Sequence, residues 1–164
     1  MADDRFHHRA GASARGRRSP AKRGADAQGL GRSRGGLSTK IHAAGDALGN
    51  PLRLIGSPGQ RNDIAFAHEL VEGLVADVII ADKGYDADHL CAKIAEGGGQ
   101  PVIPPKRNRT LKRPYDAELD KEPNIIERFF NKLKQFPRVA TRYDKLLANF
   151  MGFVKLAAIA IWLK

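Results

Sequence analysis

Val78-Ile79-Ile80-Ala81-Asp82-Lys83-Gly84-Tyr85-Asp86 is the stretch on which the fold turns. A short apolar run ends on an aspartate, and a glycine and an aromatic follow at once. This pattern predicts a buried parallel strand that delivers one carboxylate to the C-terminal edge of a sheet. Ligands and metals in open α/β sheets gather at that edge. A second carboxylate answers it. Glu127 stands in Ile125-Ile126-Glu127-Arg128-Phe129-Phe130, inside a basic stretch with helical spacing. Asp82 and Glu127 are read as sharing one metal site, for which a third carboxylate is needed.

Each residue has a plainer reading. An aspartate at a strand end often caps a turn, and a helical glutamate beside an arginine can form a surface ion pair. The apolar neighbours of Glu127 place it close to the buried face of its helix. A carboxylate there is costly unless paired or metal-bound. Converging carboxylates bind Mg²⁺, which prefers oxygen ligands. Two such ions about 3.5–4 Å apart clamp an in-line attack on a phosphodiester. Lys83, Arg107, Arg109, Arg128, Lys132, Lys134 and Arg138 would then hold phosphates; the alternative is a solvated charged face.

The rest of the chain frames this site. Its 164 residues suit one domain, and 42% hydrophobic residues suffice for a core. The net charge of +10 points to a polyanionic partner, most often nucleic acid. A single cysteine, Cys91, excludes an intramolecular disulfide and a cysteine-rich zinc site, and fits a reducing, cytoplasmic setting. The first residues lack the apolar run of a signal peptide. The apolar segment Leu146 to Leu163 carries Lys155 in its middle, which would cost about 2.5–3.5 kcal/mol at a bilayer centre. It reads as a core helix, and no membrane partner is expected.

Residues 1 to 36 are rich in Arg, Gly, Ala and Ser and show no apolar period, so they are expected to be disordered. Leu37 to Ala43 and Leu52 to Ile55 alternate as strands and flank a turn at Asp46 to Asn50, which makes a hairpin. Gly56 to Gln60 reads as a loop. Asp63 can cap a helix with Ile64, Phe66, Ala67, Leu70, Val71 and Leu74 on one face. After the Val78 strand, Asp86 or Asp88 starts a helix that Gly97-Gly98-Gly99 ends. Pro101 to Pro104 is a short edge-type strand. A basic loop follows, with Lys106, Arg107, Arg109, Lys112 and Arg113. Pro123 opens a helix holding Ile126, Phe129, Phe130, Leu133 and Phe136; Pro137 interrupts it, and a last helix runs from about Thr141. The order β-β-α-β-α-β-α-α suits a mixed sheet flanked by helices. It leaves the Val78 strand without an obvious neighbour.

Three further stretches carry a resemblance. Gly31-Arg-Ser-Arg-Gly-Gly-Leu-Ser-Thr-Lys-Ile-His42, Ala81-Asp-Lys-Gly-Tyr-Asp86 and Ile126-Glu-Arg-Phe-Phe-Asn-Lys-Leu-Lys134, followed by Arg138 and Ala140-Thr-Arg-Tyr-Asp-Lys145, resemble the C-terminal half of bacterial insertion-sequence transposases of the DDE type (insertion-sequence family five and its relatives). The likeness covers about residues 29 to 164. It implies an α/β, RNase H-like fold and Mg²⁺- or Mn²⁺-dependent cutting and rejoining of DNA by a carboxylate triad. Asp82 resembles the second aspartate, Glu127 the glutamate, and Lys134 the lysine of the family's Tyr-Arg-Glu-Lys signature. The implied partners are the element's terminal inverted repeats and target DNA, and a homo-oligomer in the full-length family.

The chain also departs from that pattern. Pro123 falls where the signature has arginine, and Asp120 where it has tyrosine. The first catalytic aspartate belongs on a strand before residue 31, and no such strand is expected here, so the fold is read as incomplete. Residues 1–30 are read as a disordered basic segment outside the family's reading frame, and 31–164 as the C-terminal part of the catalytic domain. Two functions follow: a DDE transposase, truncated or inactive as translated, or a non-catalytic basic remnant that binds DNA. RNA binding is a weaker reading, because the ordered region lacks exposed aromatic stacking motifs. The gene tests the frame. Read one base later, the codons of residues 1–16 are expected to spell an aspartate-bearing strand, W-L-M-I-D-S-T-I-V-R-A-H-Q-H-A. Codons that do not spell it refute the shifted frame.

Overall fold

A computed structural model of the chain describes residues 2–7, 22–33, 36–109 and 124–163. The chain is mixed α/β. It begins with strand β1 (Ala2–His7), helix α1 (Lys22–Ala27), β2 (Gly31–Ser33), β3 (Gly36–Gly45) and β4 (Pro51–Pro58). Then come α2 (Ile64–Val71), β5 (Val78–Ile80), α3 (Asp88–Glu96), β6 (Gln100–Val102), α4 (Asn124–Leu133), α5 (Pro137–Ala140) and α6 (Leu147–Trp162). From β3 onward this is the order that the apolar periods predict, with α5 added.

Strand β3 is the centre of a four-stranded sheet, ordered β1-β3-β2, with β4 also paired to β3. Strands β2 and β3 are antiparallel, with Gly31 opposite Ser38 and Ser33 opposite Gly36. Strands β5 and β6 form a separate parallel pair, with Val78 opposite Gln100 and Ile80 opposite Val102. By contacts the chain divides into two compact units, Met1–Ala2 with His42–Arg53 and Asn62–Phe129, and Asp3–Ile41 with Leu54–Arg61 and Phe130–Lys164.

In the first unit α2 packs on α3 and α3 on β6. Ala67, Leu70, Tyr85, Leu90, Ile94 and Val102 are buried. Arg53 of β4 donates to the Glu69 and Leu70 carbonyls at the end of α2, where a cation also suits the helix dipole. In the second unit α5 packs on α6, and Val139, Phe150, Val154 and Ala157 are buried. No described helix is long and apolar enough to cross a membrane.

Several expectations change. Residues 1 to 36 contain two strands, a helix and the first residue of a third strand rather than disorder throughout. Hydrogen bonds, not apolar burial, hold the part next to β3. Thr39 Oγ1 donates to the Gly29 carbonyl at 2.7 Å, and the Leu147 N–H donates to Gln28 Oε1 at 3.0 Å. A strand before residue 31 therefore exists. It is β1, which pairs with β3, a strand whose own backbone groups need partners. Strand β4 extends through Pro58, past the expected loop start.

Strand β5 is less buried than its composition predicts. Val78 is exposed, and Ile79 and Ile80 are half-buried. Among the described strands β6 is its one neighbour. Asp63 precedes α2 but makes no capping bond. The last helix starts at Leu147, not Thr141, because Arg142 draws the Asp144 and Lys145 carbonyls into its own hydrogen bonds, at 2.9 and 3.0 Å. The expected helix opener Pro123, Asp120, Lys112 and Arg113 lie outside the described residues.

The β3–β4 turn closes around Asp46. Its carboxylate accepts the Leu48 and Asn50 N–H groups, each at 2.9 Å, and the Asn50 side chain at 3.0 Å. Gly49 takes the positive φ of 86° that the turn requires. Burial pulls the pKa of Asp46 up, but the hydrogen bonds from Asn50, Leu48 and Gly49 outweigh it, and the net position is below 3.8. A lowered folded-state pKa gives stability that is present above the unfolded value and lost as the pH falls through the folded one. Asp46→Ala is expected to unfold at lower urea than the parent at pH 7. That difference should close as both are taken below pH 3.8; an unchanged difference would refute the assignment.

Candidate active site and nucleic-acid face

Asp82 lies two residues past Ile80, the last residue of β5, and is exposed. Its carboxylate accepts the Gly84 N–H at 3.4 Å, and a single 3-10 turn, Lys83–Tyr85, starts there. Tyr85 N–H donates to the Asp82 carbonyl at 2.8 Å and closes that turn. Because β5 and β6 are parallel, their C-terminal ends lie on one edge, and the loops after them emerge side by side.

The three residues after Lys83 each look inward. A Cβ at Gly84 would stand 3.2 Å from Asp63 Oδ2, so the chain passes close to that carboxylate. Tyr85 is fully buried, with its hydroxyl 3.3 Å from His42 Nδ1. The His42 ring stacks on Phe66 at 4.7 Å and lies 3.8 Å from Asp63 Oδ1. Asp86 is buried and accepts the Lys106 N–H at 2.8 Å and the Arg109 guanidinium at 2.7 Å. Thus Asp82 and Lys83 face outward in a motif whose Ala81, Tyr85 and Asp86 are buried.

Glu127 lies in the first turn of α4 and is exposed, whereas Ile126, Phe129, Phe130 and Leu133 are buried. These buried positions follow i, i+3, i+4, i+7 and form the apolar stripe. Glu127 is one residue past its start, about 100° round the helix. Its apolar neighbours in sequence therefore do not bring it close to the buried face, contrary to expectation. Arg128, Lys132 and Lys134 are also exposed. Arg138 is exposed and its guanidinium sits 4.5 Å from the centre of the Phe153 ring. Arg107 is exposed.

Arg109 is different. Read from sequence as a phosphate contact, it is instead engaged by two carboxylates, Asp86 and Asp88. Desolvation acts to lower its pKa, but Asp86 and then Asp88 outweigh this and raise it. Among the described residues no three His, Cys, Asp or Glu side chains converge on one point. Among the described residues Asp82 and Glu127 therefore belong to no such cluster.

Residues 6–125 match the family model for the transposase DDE domain. This chain belongs to the DDE transposase family. The match begins ahead of residue 29, where the motif likeness starts. The transposase of insertion sequence element IS6501 from Brucella ovis is 45% identical over 132 residues, which span 78% of this chain and 100% of that protein. The transposase of element IS402 from Burkholderia cepacia is 26% identical over 135 residues, 75% of this chain and 62% of that protein. No solved structure matches.

A transposase acts on DNA, and this family works with divalent metal ions. The described donors suit such an ion in kind, being carboxylate oxygens, but not in number for a two-ion clamp.

His42, Tyr85 and Asp86 brace the turn and loop beside Asp82, a role that the sequence reading does not give them. A histidine at an inward register of a strand was the available signal for the first. Tyr85→Phe removes the hydroxyl facing His42 Nδ1 and is expected to cost about 1–3 kcal/mol, the penalty for a buried polar atom losing its partner. Urea denaturation at pH 7 checks this; an unmoved midpoint would show that the hydroxyl is dispensable.

Proposed function

We propose that this DDE transposase chain holds DNA through its basic surface and does not cut DNA unaided. The observation that carries the reading is the carboxylate count: among the described residues no three His, Cys, Asp or Glu side chains gather where Asp82 or Glu127 stands. Arg128, Lys132, Lys134, Arg138 and Arg107 would meet phosphates of the element's terminal inverted repeats or target DNA. The exposure of all five supports this. The element order, with β5 ending just before Asp82 and pairing with parallel β6, supports an RNase H-like arrangement. In a complete triad Asp82 and Glu127 would be ligands for Mg²⁺ or Mn²⁺. In the same reading residues 1–30 are a segment translated outside the family's frame and 31–164 the C-terminal part of the catalytic domain.

One observation favours a second reading. Asp3 and Asp4 belong to β1, the strand paired with β3. An aspartate from that strand joining Asp82 and Glu127 would make the chain an active enzyme.

One assay separates the two. Labelled DNA bearing the element's ends is incubated with the chain and Mg²⁺ or Mn²⁺. The expected outcome is a retarded complex without strand cleavage, unchanged in cleavage by Asp82→Ala. Lys132→Ala is expected to lower the slope of log affinity against log salt by about one. Cleavage that Asp82→Ala abolishes would overturn the reading in favour of the enzyme.

A further inference from the structure

The basic loop after β6 contains two arginines that the structure treats differently. Arg109 forks across Asp86 and Asp88, 2.7 Å from Asp86 Oδ1. The Lys106 N–H donates to Asp86 Oδ2 at 2.8 Å, and Lys106 Nζ donates to the Asp86 carbonyl at 3.1 Å. The Arg109 N–H closes the turn onto the Lys106 carbonyl at 3.0 Å. Asp86 thus gathers both ends of the 106–109 turn, and its own side chain is 2% exposed. Between those ends Arg107 projects outward and has no hydrogen bond or ion pair among the described residues. Lys83, in the turn just after Asp82, is also exposed.

A buried carboxylate with two charge-assisted partners is a rigid fixture, since removing one partner leaves a desolvated charge. An exposed arginine on a loop loses less side-chain and loop freedom on meeting a phosphate when that loop is already fixed.

We infer that Asp86 and Arg109 are positioning residues that hold the 106–109 turn so that Arg107, with Lys83, meets DNA phosphates on the strand-end edge that carries Asp82. Arg109 itself does not touch DNA. This rests on the DNA-holding reading above and gives Arg109, which the sequence suggests as a phosphate contact, a positioning role. It also says why the motif after Asp82 ends in a second aspartate: the first faces outward, and the second fixes the neighbouring loop.

The test measures affinity for a labelled duplex carrying one element end, over a range of salt, in single and double variants of the full chain. Arg107→Gln is expected to lower the log–log salt slope by about one. Arg109→Gln and Asp86→Asn should each weaken binding by about as much, and neither should add a further loss to Arg107→Gln. The lysine variants discriminate without relying on a buried change. Arg107→Lys keeps binding, because lysine serves a phosphate as a point charge, whereas Arg109→Lys loses it, because lysine cannot fork to two carboxylates. Additive losses, with the slope falling by about two in Arg107→Gln/Arg109→Gln, would make Arg109 a direct contact and overturn the inference alone. A parent chain that binds no duplex at any salt would sink the DNA-holding reading and this inference with it.

Discussion

Thr39 Oγ1 donates to the carbonyl of Gly29 and accepts from the guanidinium of Arg142, at 2.7 and 2.5 Å. This arrangement shows the constraint that strand β3 imposes on everything around it. Ser38 through Ala44 are all buried, so both faces of the strand are covered. Yet the buried run includes a serine, a threonine, a lysine and a histidine. Polar groups withdrawn from water are costly unless each finds a hydrogen-bond partner. The chain supplies partners from distant segments for three of these four, while Ser38 Oγ has none among the described residues. Lys40 reaches the Arg61 carbonyl at 3.3 Å, and His42 meets Tyr85. Arg142, itself buried, also reaches the carbonyls of Asp144 and Lys145. Desolvation lowers its pKa, and the nearby Asp144 charge opposes that.

The consequence for the site is indirect but physical. His42 belongs to one compact unit together with Tyr85 and Asp63, and it holds the turn that follows Asp82 from beneath. Asp86 holds the loop after β6 from the side. Asp82 then needs no buried partner of its own. It remains an exposed strand-end carboxylate on a backbone fixed by its neighbours. In an enzyme of this family that combination suits a metal ligand, which must be accessible to substrate and held in one place. Here the support is present, while the described carboxylates do not complete the set.

Legibility differed from residue to residue for identifiable reasons. The β3–β4 hairpin could be read because Asp46, Gly49 and Asn50 have local turn chemistry that works within five residues. Helix α4 could be read from its apolar spacing, but it ends at Leu133, before the expected Phe136, and Pro137 opens α5. The exposure of Glu127 was misjudged because adjacency to apolar residues in sequence is not adjacency on a helix face. Residues 28–33 looked disordered because their order comes from hydrogen bonds to β3 and α6, which composition does not encode. Arg109 and Arg107 are indistinguishable in a basic run. Only the position of Asp86, more than twenty residues away in sequence, separates them.

By itself, then, the sequence determined the family, the succession of elements from β3 onward and the strand end beside which Asp82 stands. These depend on motifs and periods contained in short stretches. Tertiary structure decided which polar residues are internal fixtures and which face outward. It also decided that β1 takes a place beside β3, and that Glu127 lies off the buried face of its helix. Those outcomes depend on which distant group fills a buried donor or acceptor. That pairing is a property of the folded chain and not of any one segment.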